Sequence, residues 1–208
     1  MLIRRSETAS APQVPDAERS LEDHVAALAS TEAALRLEAT RHVAEAGDGQ
    51  AVAALCTALA AERESVVRDA MAVALARRGG ADVVEGLLPL LRSDEAAVRN
   101  IAIDILKELP LDVAPRMEAL LDDEDPDVRI FVVNVLEALR HPRVEDWLIA
   151  VITMDQNANV VITALDLLNE VGTPAALPAL ENVVRRFPDE PFVAFSADIA
   201  RKRIGSGR

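Results

Sequence analysis

Five valines recur at almost constant spacing: Val67, Val98, Val128, Val160 and Val193, separated by 31, 30, 32 and 33 residues. Leu35 extends the phase backwards, 32 residues before Val67. Each stands near the start of an apolar helical stretch, and three are followed by arginine: Arg68, Arg99 and Arg129. A period of this size marks a stacked-repeat chain, in which each unit buries its apolar faces against its neighbours. Such chains bind macromolecules along an extended face, so the period speaks directly about architecture and indirectly about function.

The second helix of each unit carries the clearer pattern. Val98, Ala102, Ile105, Leu106 and Leu109 share a face by i, i+4, i+7, i+8, i+11 spacing. Val128, Val132, Val135, Leu136 and Leu139 repeat it, as do Val160, Ala164, Leu167, Leu168 and Val171. Helix pairs are expected over 16–30 with 31–46, 50–62 with 64–78, and 81–92 with 95–109. Three more are expected over 111–122 with 126–140, 143–154 with 157–171, and 174–187 with 190–204. Breakers fall at the pair boundaries: Gly47-Asp48-Gly49, Gly79-Gly80, Pro110, Pro142 and Gly172-Thr173-Pro174. The turn before the second helix is acidic, as in Asp122 through Asp127, where carboxylates can cap N–H groups and complement the helix dipole.

The 208 residues divide into a lead-in over 1–15, expected to be disordered, a single repeat domain over 16–204, and a flexible end over 205–208. Half the residues are hydrophobic but aromatics are scarce, so Ala, Leu and Val must supply the packing. The apolar runs are too short to span a bilayer. Met1–Ser6 has basic residues without a following apolar stretch, which argues against a secretory leader. Cys56, the single cysteine, fits a reducing cytoplasm. The net charge of −13 is concentrated between residues 81 and 187, which hold 9 basic and 20 acidic groups. That distribution opposes binding of a phosphate backbone and disfavours nucleic acid as a partner.

The acidic turn, the Val-Arg pair and the Ala/Leu-rich second helix together resemble HEAT repeats, in particular the short variety named for phycobilin lyases. Gly172-Thr173-Pro174-Ala175-Ala176-Leu177-Pro178-Ala179-Leu180 resembles that family's linker and first helix. The resemblance covers about residues 16–204 and fades where Val161 and Ala194 replace the arginine. It implies an all-α, right-handed α-solenoid of about six antiparallel helical hairpins. It also implies pairing of turn acid and following arginine within or between repeats, as for Glu62 with Arg68 and Asp123 with Arg129. Tetratricopeptide landmarks and the ankyrin Thr-Pro-Leu-His box are missing.

Catalytic constellations are absent from the sequence, and no cofactor or metal is expected. The histidines, His24, His42 and His141, are read as lying in different units, and none has a glutamate beside it. The paired His-Glu ligands of HEAT-type deoxyhypusine hydroxylases are therefore missing. No HExxH, CxxC, Walker A, GxGxxG or GxSxG motif occurs. Cys56 reads as a packed side chain rather than a nucleophile, and the Asp122–Asp127 run lacks the glycine and final glutamate of a calcium loop.

In this family the second helices line the concave side, so their remaining positions form the expected docking surface. Counting from the repeated valine, position +6 reads Asp104, Asn134 and Asp166 in units three to five. Position +5 reads Ile103, Val133 and Leu165; position +2 reads Asn100, Ile130, Ile162 and, in the last unit, Phe195; position +9 reads Lys107, Glu137 and Asn169. Apolar anchors beside hydrogen-bonding groups suit a peptide or helix of another protein. The alternative is burial of the +2 and +5 rows between tightly curved repeats, with a merely solvated Asp/Asn ladder. Phe187, Phe192 and Phe195 are expected to plug the open core of the terminal repeat; the alternative is a docking or dimerisation patch. The functional expectation is a non-catalytic adaptor or scaffold. A phycobilin-lyase-like subunit and a regulatory module of a signalling assembly stand as alternatives.

Overall fold

The computed structural model describes residues 19–46 and 48–206, and among these there is no strand. The expected disordered lead-in over 1–15 lies outside the described residues, as do Gly207 and Arg208. Six hairpins follow one another. The first two are α1 (Leu21–Ala27) with α2 (Ala33–Ala46), and α3 (Gly49–Ala61) with α4 (Ser65–Arg78). The third is α5 (Ala81–Leu87), a 3-10 turn Leu88–Arg92 and α6 (Ala96–Lys107). The fourth is α7 (Pro110–Val113), a 3-10 turn Ala114–Arg116, α8 (Met117–Leu121) and α9 (Pro126–Ala138). The fifth pairs α10 (Val144–Met154) with α11 (Ala158–Val171). The sixth is a 3-10 turn Pro174–Ala176, α12 (Leu177–Arg186) and α13 (Pro191–Gly205).

Local chemistry explains where these helices start and break. Ser20 and Asp23 form a capping box at α1, and Asp48, Asp125 and Asn157 accept backbone N–H bonds at their N-termini. Gly79 and Gly80 have φ of 61° and 94°, left-handed values that turn the chain from α4 into α5. Pro89 and Pro115 lie inside the expected first helices of units three and four. Each removes an N–H, and the chain there tightens into 3-10 geometry. Gly205 closes α13 instead of beginning the flexible end expected from the sequence.

The second helices stack in order, α2 on α4, then α6, α9, α11 and α13, each against the next. The repeated valines Val67, Val98, Val128, Val160 and Val193 are all buried, and all but Val98 belong to one continuous core running from Leu28 to Ile204. The first helices form the other layer and approach closely at one point. A Cβ on Gly86 would stand 2.7 Å from Cys56 Sγ of the preceding unit. Gly86→Ala is therefore expected to destabilise the fold by about 1–3 kcal/mol through overpacking. Adding Cys56→Ala should recover part of the loss, both read from urea-unfolding midpoints.

Polar ties then lock unit to unit. The turn residues Ser30, Glu62, Ser93, Asp123 and Asp155 each accept a bond from the backbone N–H two positions on. Arg36 donates to the Ser30 carbonyl of its own turn at 2.9 Å and to both oxygens of Glu62 in the next unit at 2.6 and 3.1 Å. Arg129 does the same, to the Asp123 carbonyl at 2.6 Å and to Asp155 at 2.7 and 3.0 Å. This corrects the expected partners. Glu62 pairs with Arg36 rather than Arg68, and Arg129 takes only the main chain of Asp123. The carboxylate of Asp123 instead binds Arg92. Arg99 keeps the bond to its own turn, Ser93, and lies over Phe131 of the next unit.

A second set of arginines reaches backwards. Arg186 donates to the carbonyls of Ile152 and Asp155, and Arg203 to those of Leu168 and Gly172, closing the C-termini of α10 and α11 in the preceding unit. Burial would raise the Glu62 carboxyl, but Arg36 and the N–H groups of Glu64 and Arg63 hold it below its ordinary value of 4.5. A depressed folded-state pKa contributes stability above 4.5 that is lost as pH falls through the folded value. Glu62→Gln should lower stability by about 1.5–3 kcal/mol at neutral pH. The gap to wild type should narrow below pH 4.5 in denaturation series run across pH.

Candidate protein-docking face

The outer positions of the second helices separate into rows with different fates. At +5, Ile103 is 7 % exposed and Val133 and Leu165 are 0 % exposed. They fill the seams between stacked helices, so their expected role as partner anchors is corrected: no partner can reach them. The burial follows from the helical wheel, because +5 lies on the flank that meets the next unit. At +2, Asn100 and Phe195 are exposed, while Ile130 and Ile162 are half-buried and pack partly against the core. At +6, Asp104 and Asp166 are exposed and Asn134 is half-buried. At +9, Lys107 and Glu137 form an ion pair of 3.1 Å between units three and four, beside a half-buried Asn169.

The side chains of Asn100, Asp104, Asn134, Asp166 and Asn169 make no hydrogen bond or ion pair among the described residues. They offer acceptors, and the three amides offer donors as well, on three successive second helices. Neighbouring helices stand roughly 8–10 Å apart, so the rows form a ladder that a strand or helix can cross. Flanking it are the edges of half-buried Ile130 and Ile162.

The other residues singled out from the sequence have structural surroundings. Burial, then the neighbouring Asp82 charge, pushes the Cys56 thiol up to about 11, so at neutral pH it is a protonated core side chain. The histidines are not all separate: the rings of His24 and His42 stack at 4.2 Å within the first hairpin, and His141 stacks on Trp147 at 5.0 Å. Among the described residues, no cluster of three or more His, Cys, Asp or Glu side chains could hold a metal ion. None of the described helices is long and apolar enough to cross a membrane. A cleft of about 450 Å³ opens between α8 and α10, lined by Leu121, Trp147, Met154, Arg129 and Asp155.

The phenylalanines do not act together as a plug. Phe187 packs against the core, but Phe192 and Phe195 are exposed. At +5, where units three to five place buried aliphatics, the last unit has Asp198, paired with Arg201 at 2.8 Å and Lys202 at 2.6 Å. Bonds from Lys202, then from Arg201, hold the Asp198 carboxyl below the usual carboxylate range. This signal was present in the sequence as the change from Leu165 to Asp198 along one row.

Stacked helical hairpins with this turn chemistry define a HEAT-type solenoid. The chain belongs to the HEAT-repeat family, whose model matches residues 21–107 and 113–194. No curated protein matches it. Among solved structures it is similar to an archaeal HEAT-like repeats protein from Thermococcus onnurineus NA1, at 18 % identity over 89 % of this chain and 87 % of that one, with a TM-score of 0.44. It is also similar to human deoxyhypusine hydroxylase, at 20 % identity over 89 % and 74 % of the two chains and a TM-score of 0.46. The complex of CpcE and CpcF of phycocyanin lyase from Nostoc sp. PCC7120 matches at 18 % identity over 97 % and 99 %, with a TM-score of 0.34.

The rows make a direct mutational contrast. Leu165→Ala should cost about 2–5 kcal/mol, as a buried large-to-small change. Its helical neighbour Asp166→Ala should change stability by no more than about 0.5 kcal/mol. Chemical denaturation of both variants reads the difference.

Proposed function

We propose that this protein is a binding adaptor or scaffold, without chemistry of its own, that docks a partner protein across the second-helix layer of units three to five. The observation that carries this reading is the unpaired ladder of Asn100, Asp104, Asn134, Asp166 and Asn169, beside the apolar edges of Ile130 and Ile162. Hydrogen-bonding groups held on stacked helices are already ordered, so a partner meets them without the entropy cost of fixing loops. The acidic excess between residues 81 and 187 favours a partner segment rich in N–H donors, including Lys or Arg side chains. Such a segment would satisfy the ladder through donors and place small apolar groups over the two isoleucines.

The test replaces Asp104, Asn134 and Asp166 together with alanine and compares capture of proteins from source-organism lysate with wild type. A protein retained saturably by wild type and lost by the triple variant, whose circular dichroism and unfolding midpoint are unchanged, is the expected result. Loss should amount to about tenfold or more in affinity if two or three hydrogen bonds to charged groups are removed. Equal binding of every captured protein to both forms would overturn the proposal.

A further inference from the structure

We propose that Arg68 is a binding site for a carboxylate from outside the chain, either an Asp or Glu side chain of a partner protein or a free small acid. The site is independent of the ladder of units three to five. The repeat itself supplies the comparison. Ser30, Glu62, Ser93, Asp123 and Asp155 share one register, the turn position that accepts the N–H two residues on. Six residues after each of the first four stands an arginine: Arg36, Arg68, Arg99 and Arg129. Where unit one meets unit two, Arg36 binds both carboxylate oxygens of Glu62 through its Nε and Nη2. Where unit four meets unit five, Arg129 binds both oxygens of Asp155 in the same way.

Arg68 holds this register where unit two meets unit three, but the turn ahead of it offers Ser93, which has no carboxylate to give. The side chain of Arg68 makes no hydrogen bond, ion pair or ring contact among the described residues, and its Nε is buried without an acceptor. Glu95, at the turn position from which Glu64 reaches Arg36, is exposed and forms no ion pair among the described residues. Arg99 differs: the turn ahead of it does carry an acid, Asp123, held by Arg92, and its own guanidinium bonds the Ser93 carbonyl and lies over Phe131. Among the four arginines, only Arg68 therefore has a guanidinium without any partner. Half-buried, it has given up part of its hydration with no counter-charge in return. Its planar edge matches a carboxylate through two parallel N–H···O bonds. A carboxylate bound there restores the pairing that the chain supplies for itself at Arg36 and Arg129.

Nitrogen-15 spectra of the full chain test the site through the Arg68 Nε–H resonance, assigned by its loss in Arg68→Lys. The probes are sodium acetate and an N-acetylated, C-amidated Ala-Glu-Ala peptide, with ionic strength held at about 0.1 M by chloride. The Arg68 resonance should move saturably, while those of Arg36 and Arg129, whose acceptors are already in place, should not. Tighter binding of the peptide identifies a protein side chain as the source of the carboxylate; equal or tighter binding of acetate identifies a free acid. Ser93→Glu supplies a carboxylate from the chain itself, as Glu62 does for Arg36. It should move the Arg68 resonance before any probe is added and weaken probe binding by about tenfold or more. No saturable shift with either probe would overturn the proposal, as would an equal response at Arg36 and Arg129. A folded Ser93→Glu protein that binds the probes as wild type does would also overturn it. So would a Glu95→Gln variant whose Arg68 resonance is displaced without probe, because Glu95 would then already fill the site.

Discussion

Burial of each unit's apolar flank against the next is the constraint on which everything else depends. A single helical hairpin of this composition has an exposed apolar face on each side, and only stacking removes both from water. The valine row serves the interior of each hairpin. The +5 row, Ile103, Val133 and Leu165, serves the seam between units, where second helices meet. These residues stand on the same helix as the candidate docking side chains, one position away from Asp104, Asn134 and Asp166. The seam therefore determines which side chains are left for a partner.

Orientation between units is set by polar groups as well as by packing. Arg36 and Arg129 each hold a carbonyl of their own turn and a carboxylate of the next, so one guanidinium measures the step between units. Such partly buried ion pairs add directional specificity more dependably than net stability. Where the motif lapses, other chemistry replaces it: Arg92 with Asp123, and Arg99 over Phe131. The backward-reaching Arg186 and Arg203 perform a complementary task by donating to carbonyls at the ends of α10 and α11. Together these contacts make a surface whose spacing is held by the stack rather than by any one helix.

The repeats also differ in what they present to solvent. The middle units offer amides and carboxylates, whereas the last presents Phe192, Phe195 and Ile199. A repeat array can divide labour in this way because each unit needs only its flanks and interior for stability, leaving the outer row free to vary.

Six hairpins, their breakers and the core row except Val171, which is exposed at the end of α11, were legible in the sequence, because helical periodicity and Gly/Pro punctuation are local properties of the chain. The arginines were legible as structural, but their partners were not. The pairing of Arg36 with Glu62 depends on the step between units, which no local pattern records. For the same reason the sequence could place +2, +5 and +6 outside the hairpin interior without saying which row the next helix would cover. The phenylalanines misled by composition: three aromatics near a terminus suggest a plug, while Phe192 and Phe195 are exposed and only Phe187 packs against the core. Period and helix type followed from the chain alone; exposure of the candidate site was decided by tertiary stacking, since solvent access belongs to neighbouring units rather than to a residue's own helix.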